Sequence, residues 1–412
     1  MLSGQASRDF HLMAKPVGAL CNMNCTYCYY LGKKDLLSSN GRMTDEILEQ
    51  YVMQYIEAQE GPEVVFSWQG GEPTLLGLDF FKRAIELERE YCPPNKRVEN
   101  DLQTNGILLD DAWCEFLREN RFLVGLSIDG PKPLHDHYRA SKDQASTFDK
   151  AFAASKLLRK HRVQFNTLTT INQFNAQYPL EVYRFLRMQV GSTRIQFIPV
   201  VEPKVFAQVA PQRWDENTLP TLGSTTARPG SPGSVVTGWS VDPDDYGKFL
   251  CAVFDEWYNH DIGKTFVYLF ECALGQWMEM PASLCIQAET CGRALVIEHN
   301  GAVYSCDHYV YPEYLIGNIR ETHLWEIVSS PRQLEFGFRK SSSLPKYCRN
   351  CPYLFACHGE CPKNRFIRTP DGEPGLNYLC SGLRRYFGHI DPYMKRMAKQ
   401  WRQENSSQLR VN

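Results

Sequence analysis

The sequence predicts an α/β protein: a partial (β/α)6 barrel of the TIM type over the first two hundred residues, then a small cysteine-rich domain of short strands and helices. Two observations carry this. Short apolar runs alternate with amphipathic segments at a steady rhythm, which is the signature of parallel βα units. Eight of the 15 cysteines then crowd into the last third, and three more sit in CNMNCTYCYY, Cys21 to Tyr30.

The strand candidates are residues 10–16, 64–71, 98–106, 122–130, 164–172 and 194–201. Between them lie helical patterns over 44–59, 79–92, 111–120, 148–161 and 179–190, the first opening at Thr44 with the carboxylates of Asp45 and Glu46 in its first turn, as a capped helix should. Six units are too few to close an eight-stranded barrel, so the expected barrel is open, with its chemistry at the C-terminal strand ends. From 202 to 240 the periodicity dissolves into PTLGSTTARPGSPGSVVTG, a long loop by composition. Helices are expected at 243–260 and near 265–279. IEHNGAVYSCD reads as a hairpin, with Asn300-Gly301 suited to a tight primed turn. The expected domains are 1–240, linking helices over 241–284, a cysteine-rich domain over 285–385, and a C-terminal helix with a frayed tail over 386–412.

Composition narrows the function classes. A formal net charge of −2 gives no sign of a nucleic-acid or anionic-membrane partner. MLSGQASRDFHLMAKPVG lacks the apolar core of a signal peptide, and no apolar run is long enough to span a bilayer, so the expected location is the cytoplasm. Disulfides are disfavoured there and an odd cysteine count cannot pair completely, so clustered cysteines point to metal. Cys92, Cys114, Cys251 and Cys272 lie in helical patterns and read as buried apolar residues.

Cys21, Cys25 and Cys28 follow the first strand with no fourth cysteine nearby. Structural zinc normally takes four ligands, whereas an iron–sulfur cubane on three thiolates keeps one iron open to a small molecule. Zinc remains the alternative on spacing alone, here and for the C-terminal cysteines.

The C-x3-C-x2-C motif, with Tyr27 before its last cysteine, resembles the radical S-adenosylmethionine (SAM) enzymes. Gly70-Gly71-Glu72-Pro73 after the second strand resembles the family's segment for the SAM amino group, and LSIDG ends the fourth strand where a ribose contact is expected, here Ser127. Gln69 and Arg139 are further SAM contacts by the same resemblance. The C-terminal cysteines resemble the SPASM extension, which implies two auxiliary [4Fe–4S] clusters: Cys285, Cys291, Cys306 and Cys361 on the first, Cys348, Cys351, Cys357 and Cys380 on the second. Within that group the chain is most similar to the anaerobic sulfatase-maturating enzymes, through KPVGALCNMNCTYCYYL, FSWQGGEPTLLGLDFF, LQTNGILLDDAWCEFL, VGLSIDGP, CDHYVYPEYLIGNI and CPKNRF. The loop at 202–240 departs from the compact members.

That resemblance implies three [4Fe–4S] clusters, SAM, and oxidation of a cysteine or serine in an unfolded or nascent sulfatase to Cα-formylglycine, with flavodoxin or ferredoxin as electron donor. It makes Asp307, directly after Cys306, the expected catalytic base, with His308 in a supporting role and Tyr30, Gln103 and Asn105 as candidate substrate contacts. A SPASM maturase that crosslinks another peptide is the alternative enzyme, and a zinc-ribbon binding protein the non-catalytic one.

Overall fold

The computed structural model describes residues 10–36, 41–205 and 218–409. The chain divides into two compact units, residues 1–168 with 291–339, and residues 169–290 with 340–412.

In the first unit, β1 (His11–Lys15), β2 (Glu63–Trp68), β3 (Arg97–Thr104), β4 (Leu123–Ser127) and the start of β5 (Gln164–Ile171) lie side by side and parallel. Their connections carry α1 (Asp45–Ala58), α2 (Leu78–Tyr91), α3 (Asp111–Glu119), the single turn α4 (Lys132–Asp136) and α5 (Phe148–Lys160). α1 and α3 start at side-chain caps: the Thr44 side chain accepts from Ile47 N at 3.3 Å and that of Asp110 from Trp113 N at 2.9 Å, satisfying orphan amides of the first turn. Leu12, Phe66, Trp68, Leu102, Val124 and Leu126 are fully buried, as strands covered on both faces require.

The other edge of β1 is closed by a hairpin from far along the chain. β8 (Ala294–Glu298) pairs with β1 in parallel, His11 opposite Ala294 through Lys15 opposite Glu298, and β9 (Ala302–Tyr304) and β10 (Leu315–Asn318) continue antiparallel, followed in the chain by α9 (Leu324–Val328) and α10 (Pro331–Ser342). The hairpin is at the expected place, but its turn is not primed. In the turn only Gly301 is left-handed (φ 82°), and Gly301 N donates to Glu298 O at 2.9 Å, so a three-residue loop replaces the two-residue one. Asn300-Gly301 matches both turn types; hairpin register, set by the packing of β8 on β1, chooses between them.

The second unit contains β6 (Arg194–Pro199) and β7 (Phe266–Val267), parallel, with α6 (Pro179–Arg184), α7 (Pro243–His260), α8 (Tyr268–Trp277), the single turns α11 (Lys346–Arg349) and α12 (Leu354–Cys357), and a long α13 (Cys380–Leu409). The helix expected over 179–190 changes to a π-helical turn over Phe185–Val190 before ending at left-handed Gly191. α13 begins at Cys380, six residues before the C-terminal helix expected from the sequence, and runs on through Pro392. Of the loop at 202–240, residues 206–217 lie outside the described residues, and the rest forms turns with a bridge from Pro203 to Val236. No described helix is long and apolar enough to cross a membrane.

Beneath the first sheet, Trp68 Nε1 donates to Asn100 Oδ1 at 2.7 Å and Asn100 Nδ2 to Glu88 Oε2 at 2.8 Å. Burial pushes the Glu88 carboxyl up to about 8. The folded chain thus keeps a proton that the unfolded chain has lost, so stability falls as pH rises from the ordinary carboxyl range toward about 8, then levels off. We expect Glu88→Gln to match the parent near pH 5 and to exceed it by a few kcal/mol near pH 9, measured by denaturant titration at both pH values.

Candidate active site at the strand ends

The loop after β1 is held by backbone on two sides. Gly71 N donates to Gly18 O and Glu72 N to Leu20 O, both at 2.8 Å, so the segment after β2 lies directly against the chain entering Cys21. A side chain at position 71 would put its Cβ 1.8 Å from Leu20 O, which is why this position is glycine. On the far side Asn24 N donates to Ala140 O and Thr26 N to Tyr138 O, both at 2.9 Å. Cys21, Cys25 and Cys28 are therefore displayed from one short pinned loop. Burial raises the Cys21 thiol to about 11 and the Cys25 thiol to about 12, opposed at Cys25 by Arg139. Three clustered thiols of this kind fit an iron–sulfur centre, since a bound metal supplies the positive charge that thiolates need.

Glu72 is buried and fully engaged. Its carboxylate accepts from Thr74 Oγ1 at 2.6 Å, Thr104 Oγ1 at 2.8 Å and Asn105 N at 2.8 Å, while burial raises its pKa. Asn105 Nδ2 in turn donates to Asn22 Oδ1 at 2.7 Å, tying the end of β3 to the cysteine loop. Gln69 leaves β2 with its amide on Ala14 O at 2.9 Å, and Gly70 takes φ 128°.

At the end of β4, Ser127 Oγ accepts from Gln103 Nε2 at 2.8 Å. The residue that organises this corner is Asp129, absent from the expected set. It accepts from the Tyr27 hydroxyl and from Arg139 Nε at 3.0 Å, with all three side chains buried. LSIDG contains Asp129, and a buried arginine needs a carboxylate; that was the available signal.

Charged side chains also converge where β1 meets β8 and β9. Lys15, 2% exposed, sends its ammonium to Asp307 Oδ1 at 2.7 Å and lies 4.5 Å above the Tyr30 ring. The Tyr29 hydroxyl donates to Asp307 Oδ2, and the Tyr30 hydroxyl donates to fully buried Glu298, whose other oxygen is 3.5 Å from His299 Nδ1. Burial alone would raise the Asp307 pKa; the Lys15 ammonium, His308 and the Tyr29 hydroxyl outweigh it and hold the carboxyl at about 2. His308 packs against the Tyr29 ring, centroids 5.3 Å apart. Lys15, Tyr29 and Glu298 were not expected. Lys15 and Tyr29 flank the cysteine motif, but their partners lie hundreds of residues on, and short-range pattern cannot show that.

Among the C-terminal cysteines, Cys291 and Cys306 belong to the first unit; Cys285 and Cys361 belong to the second. Cys348, Cys351, Cys357 and Cys380 line one cavity in the second unit, a complete four-thiol donor set. Between Cys357 and Cys361, His358, Gly359 and Glu360 are all left-handed (φ 45°, 70° and 52°). Arg365 braces that turn, donating to His358 O at 2.9 Å and Gly359 O at 3.0 Å.

Comparison with known proteins gives the family and the fold. The family model for the radical SAM superfamily matches residues 16–186, and the SPASM iron–sulfur cluster-binding domain matches residues 285–352. A serine-type anaerobic sulfatase-maturating enzyme of Bacteroides thetaiotaomicron is 46% identical over 96% of this chain and 92% of its own length. The cysteine-type enzyme of Clostridium perfringens is 32% identical over 94% of this chain and 98% of its own. Among solved structures, native anSMEcpe with bound AdoMet and the Cp18Cys peptide superposes with a TM-score of 0.80 at 32% identity, covering 95% of this chain and 99% of that one.

The Lys15–Asp307 pair makes a direct prediction. In a double-mutant cycle of Lys15→Met and Asp307→Asn, read by denaturant unfolding of the cluster-free chain, Lys15→Met alone should cost about 3 kcal/mol and the pair should couple by about 2 kcal/mol. Additive effects would mean that the ion pair adds nothing to stability.

Proposed function

This chain belongs to the anaerobic sulfatase-maturating enzymes of the radical SAM superfamily, and from that membership we propose that it oxidises a cysteine or serine side chain of a sulfatase polypeptide to Cα-formylglycine without oxygen. The observation that carries the reading is Asp307: it follows Cys306, is paired with buried Lys15, and is reached by Tyr29 from the same loop that presents Cys21, Cys25 and Cys28.

When bound, SAM and three [4Fe–4S] clusters supply the one-electron and hydrogen-atom chemistry that no side chain can. Cys21, Cys25 and Cys28 are the ligands we assign to the first cluster. The first auxiliary set is Cys285, Cys291, Cys306 and Cys361; the second is Cys348, Cys351, Cys357 and Cys380. Gly70, Gly71 and Glu72, with Gln69, Tyr27, Ser127 and Arg139, form the proposed SAM-binding wall. The tight backbone approach at Gly71 and the anchored Glu72 support it, since a binding wall must keep its shape before the ligand arrives.

Asp307 takes the proton that the substrate hydroxyl or thiol gives up as its carbon is oxidised. Each carboxylate oxygen has two acceptor positions, and Lys15 and Tyr29 occupy one apiece, so both oxygens can still accept. A carboxyl held at about 2 is a weak base, but it is ionised at any working pH and therefore always open to that proton. Tyr30, Gln103 and Asn105 remain the proposed substrate contacts, and flavodoxin or ferredoxin the proposed donor. A polypeptide substrate is supported by the peptide bound in the related structure.

Anaerobic reconstitution should load about twelve irons, four per cluster. Incubation with SAM, a reductant and short cysteine- and serine-type sulfatase peptides should then yield the aldehyde, read by mass spectrometry. Asp307→Asn should keep the iron and the SAM affinity yet lose about 10²- to 10⁴-fold in aldehyde formation. A stable iron content near four, or undiminished aldehyde from that variant, would refute the assignment.

A further inference from the structure

α13 carries a stripe of cations. Arg384, Lys395, Lys399 and Arg402 are exposed and recur at helical spacing, with Arg385 and Arg396 beside them along the same arc. Over residues 384–402 the only acid on the helix is Asp391, already bonded by Lys395 at 2.7 Å. For a chain of formal net charge −2 this is a marked local excess.

Next to the stripe is a groove lined by Gln276, Trp277, Glu279, Met280, Phe355, Lys395 and Arg402, in which Arg402 pairs with the exposed Glu279 at 3.1 Å. Phe355 and Met280 are 42% and 48% exposed, and the Phe355 ring meets Trp277 with centroids 4.9 Å apart. An exposed aromatic and methionine patch with a charged rim, flanked by the exposed Arg385, Arg396 and Lys399, is the anatomy of a protein docking site.

The surface also adjoins the cavity of Cys348, Cys351, Cys357 and Cys380. Arg384 begins the stripe and lines that cavity, where it donates to the Tyr347 hydroxyl at 2.6 Å. Phe355 sits on α12, whose last residue is Cys357, so the groove and one of the four thiols share one short helix.

We propose that this face of α12 and α13 docks a small acidic one-electron carrier protein and exchanges electrons with the cluster held by these four cysteines. The inference rests on the cluster assignment in the proposed function. In the exchange the carrier's reduced cofactor loses one electron and the enzyme gains it, with no bond made or broken. Opposite charge steers the encounter, so both association and its salt dependence report on the stripe. A duplex nucleic acid or an anionic membrane would also meet cations, but neither needs a four-thiol cavity beneath the contact.

The test uses reconstituted holoenzyme and Lys395→Glu/Arg396→Glu/Lys399→Glu, with flavodoxin as the probe. Iron content and dithionite-driven turnover should equal those of the parent. The Kd for flavodoxin, read by calorimetry, should rise about tenfold or more, and its dependence on salt should flatten, since the screened charges are gone. Electron transfer from reduced flavodoxin, followed by stopped-flow absorbance, should slow in parallel. Unchanged flavodoxin affinity, or tighter binding of duplex DNA or of phosphatidylglycerol vesicles than of flavodoxin by the parent, would overturn the proposal. If the parent holds its clusters and binds flavodoxin but forms no aldehyde, the reaction assignment fails while the docking face stands.

Discussion

A buried ammonium is tolerable only with a counter-charge, and the arrangement of the first unit follows from the one that Lys15 finds. Lys15 ends β1; its partner Asp307 lies just past β9. For the two to meet, β8 must pair with β1 in one register, Lys15 opposite Glu298, because a slip by one residue would turn Lys15 to the other face of the sheet. That register also carries Cys306 to the strand ends and puts Glu298 within reach of the Tyr30 hydroxyl. One ion pair thus couples the cysteine loop to a hairpin encoded far downstream, and the residue it fixes is the one assigned to receive the substrate's proton.

The loop that bears Cys21, Cys25 and Cys28 is positioned by a different means. It has almost no regular structure of its own and is held by neighbouring backbone: Gly18 and Leu20 against the segment after β2, Asn24 and Thr26 against residues 138–140. Side chains then lock its ends, Tyr27 on Asp129 and Asn22 on Asn105. A loop held this way keeps its backbone in place without help from a metal, which lowers the ordering cost of binding one.

Much of this was legible in the sequence, for identifiable reasons. The strands appear where apolar runs alternate with capped amphipathic segments, and motifs that must sit at strand ends, such as GGEP and LSIDG, do sit there. Local pattern failed where the decision was made elsewhere. Asn300-Gly301 suits two kinds of hairpin turn, and packing on β1 selects the three-residue one. FLRMQV has good helical character, yet the chain takes a π turn there before Gly191; we have no sequence signal for it. In LSIDG the serine was singled out over Asp129, although only the aspartate could balance buried Arg139. Lys15 and Tyr29 were within quoted motifs but gained meaning only through Asp307, 278 positions from Tyr29.

The closure of β1 by β8 also has a consequence for how the protein is made. During synthesis β1 emerges first and waits with one edge unpaired until residues 294–298 leave the ribosome. At ordinary elongation rates that interval is some tens of seconds, long against the microseconds in which local elements form. The exposed edge and the uncompensated Lys15 ammonium must be shielded or left in solvent throughout, so this region has high contact order and forms late. Cys21, Cys25, Cys28 and Asp307 are therefore brought together at the end, and a truncated nascent chain displays the three thiols without the aspartate.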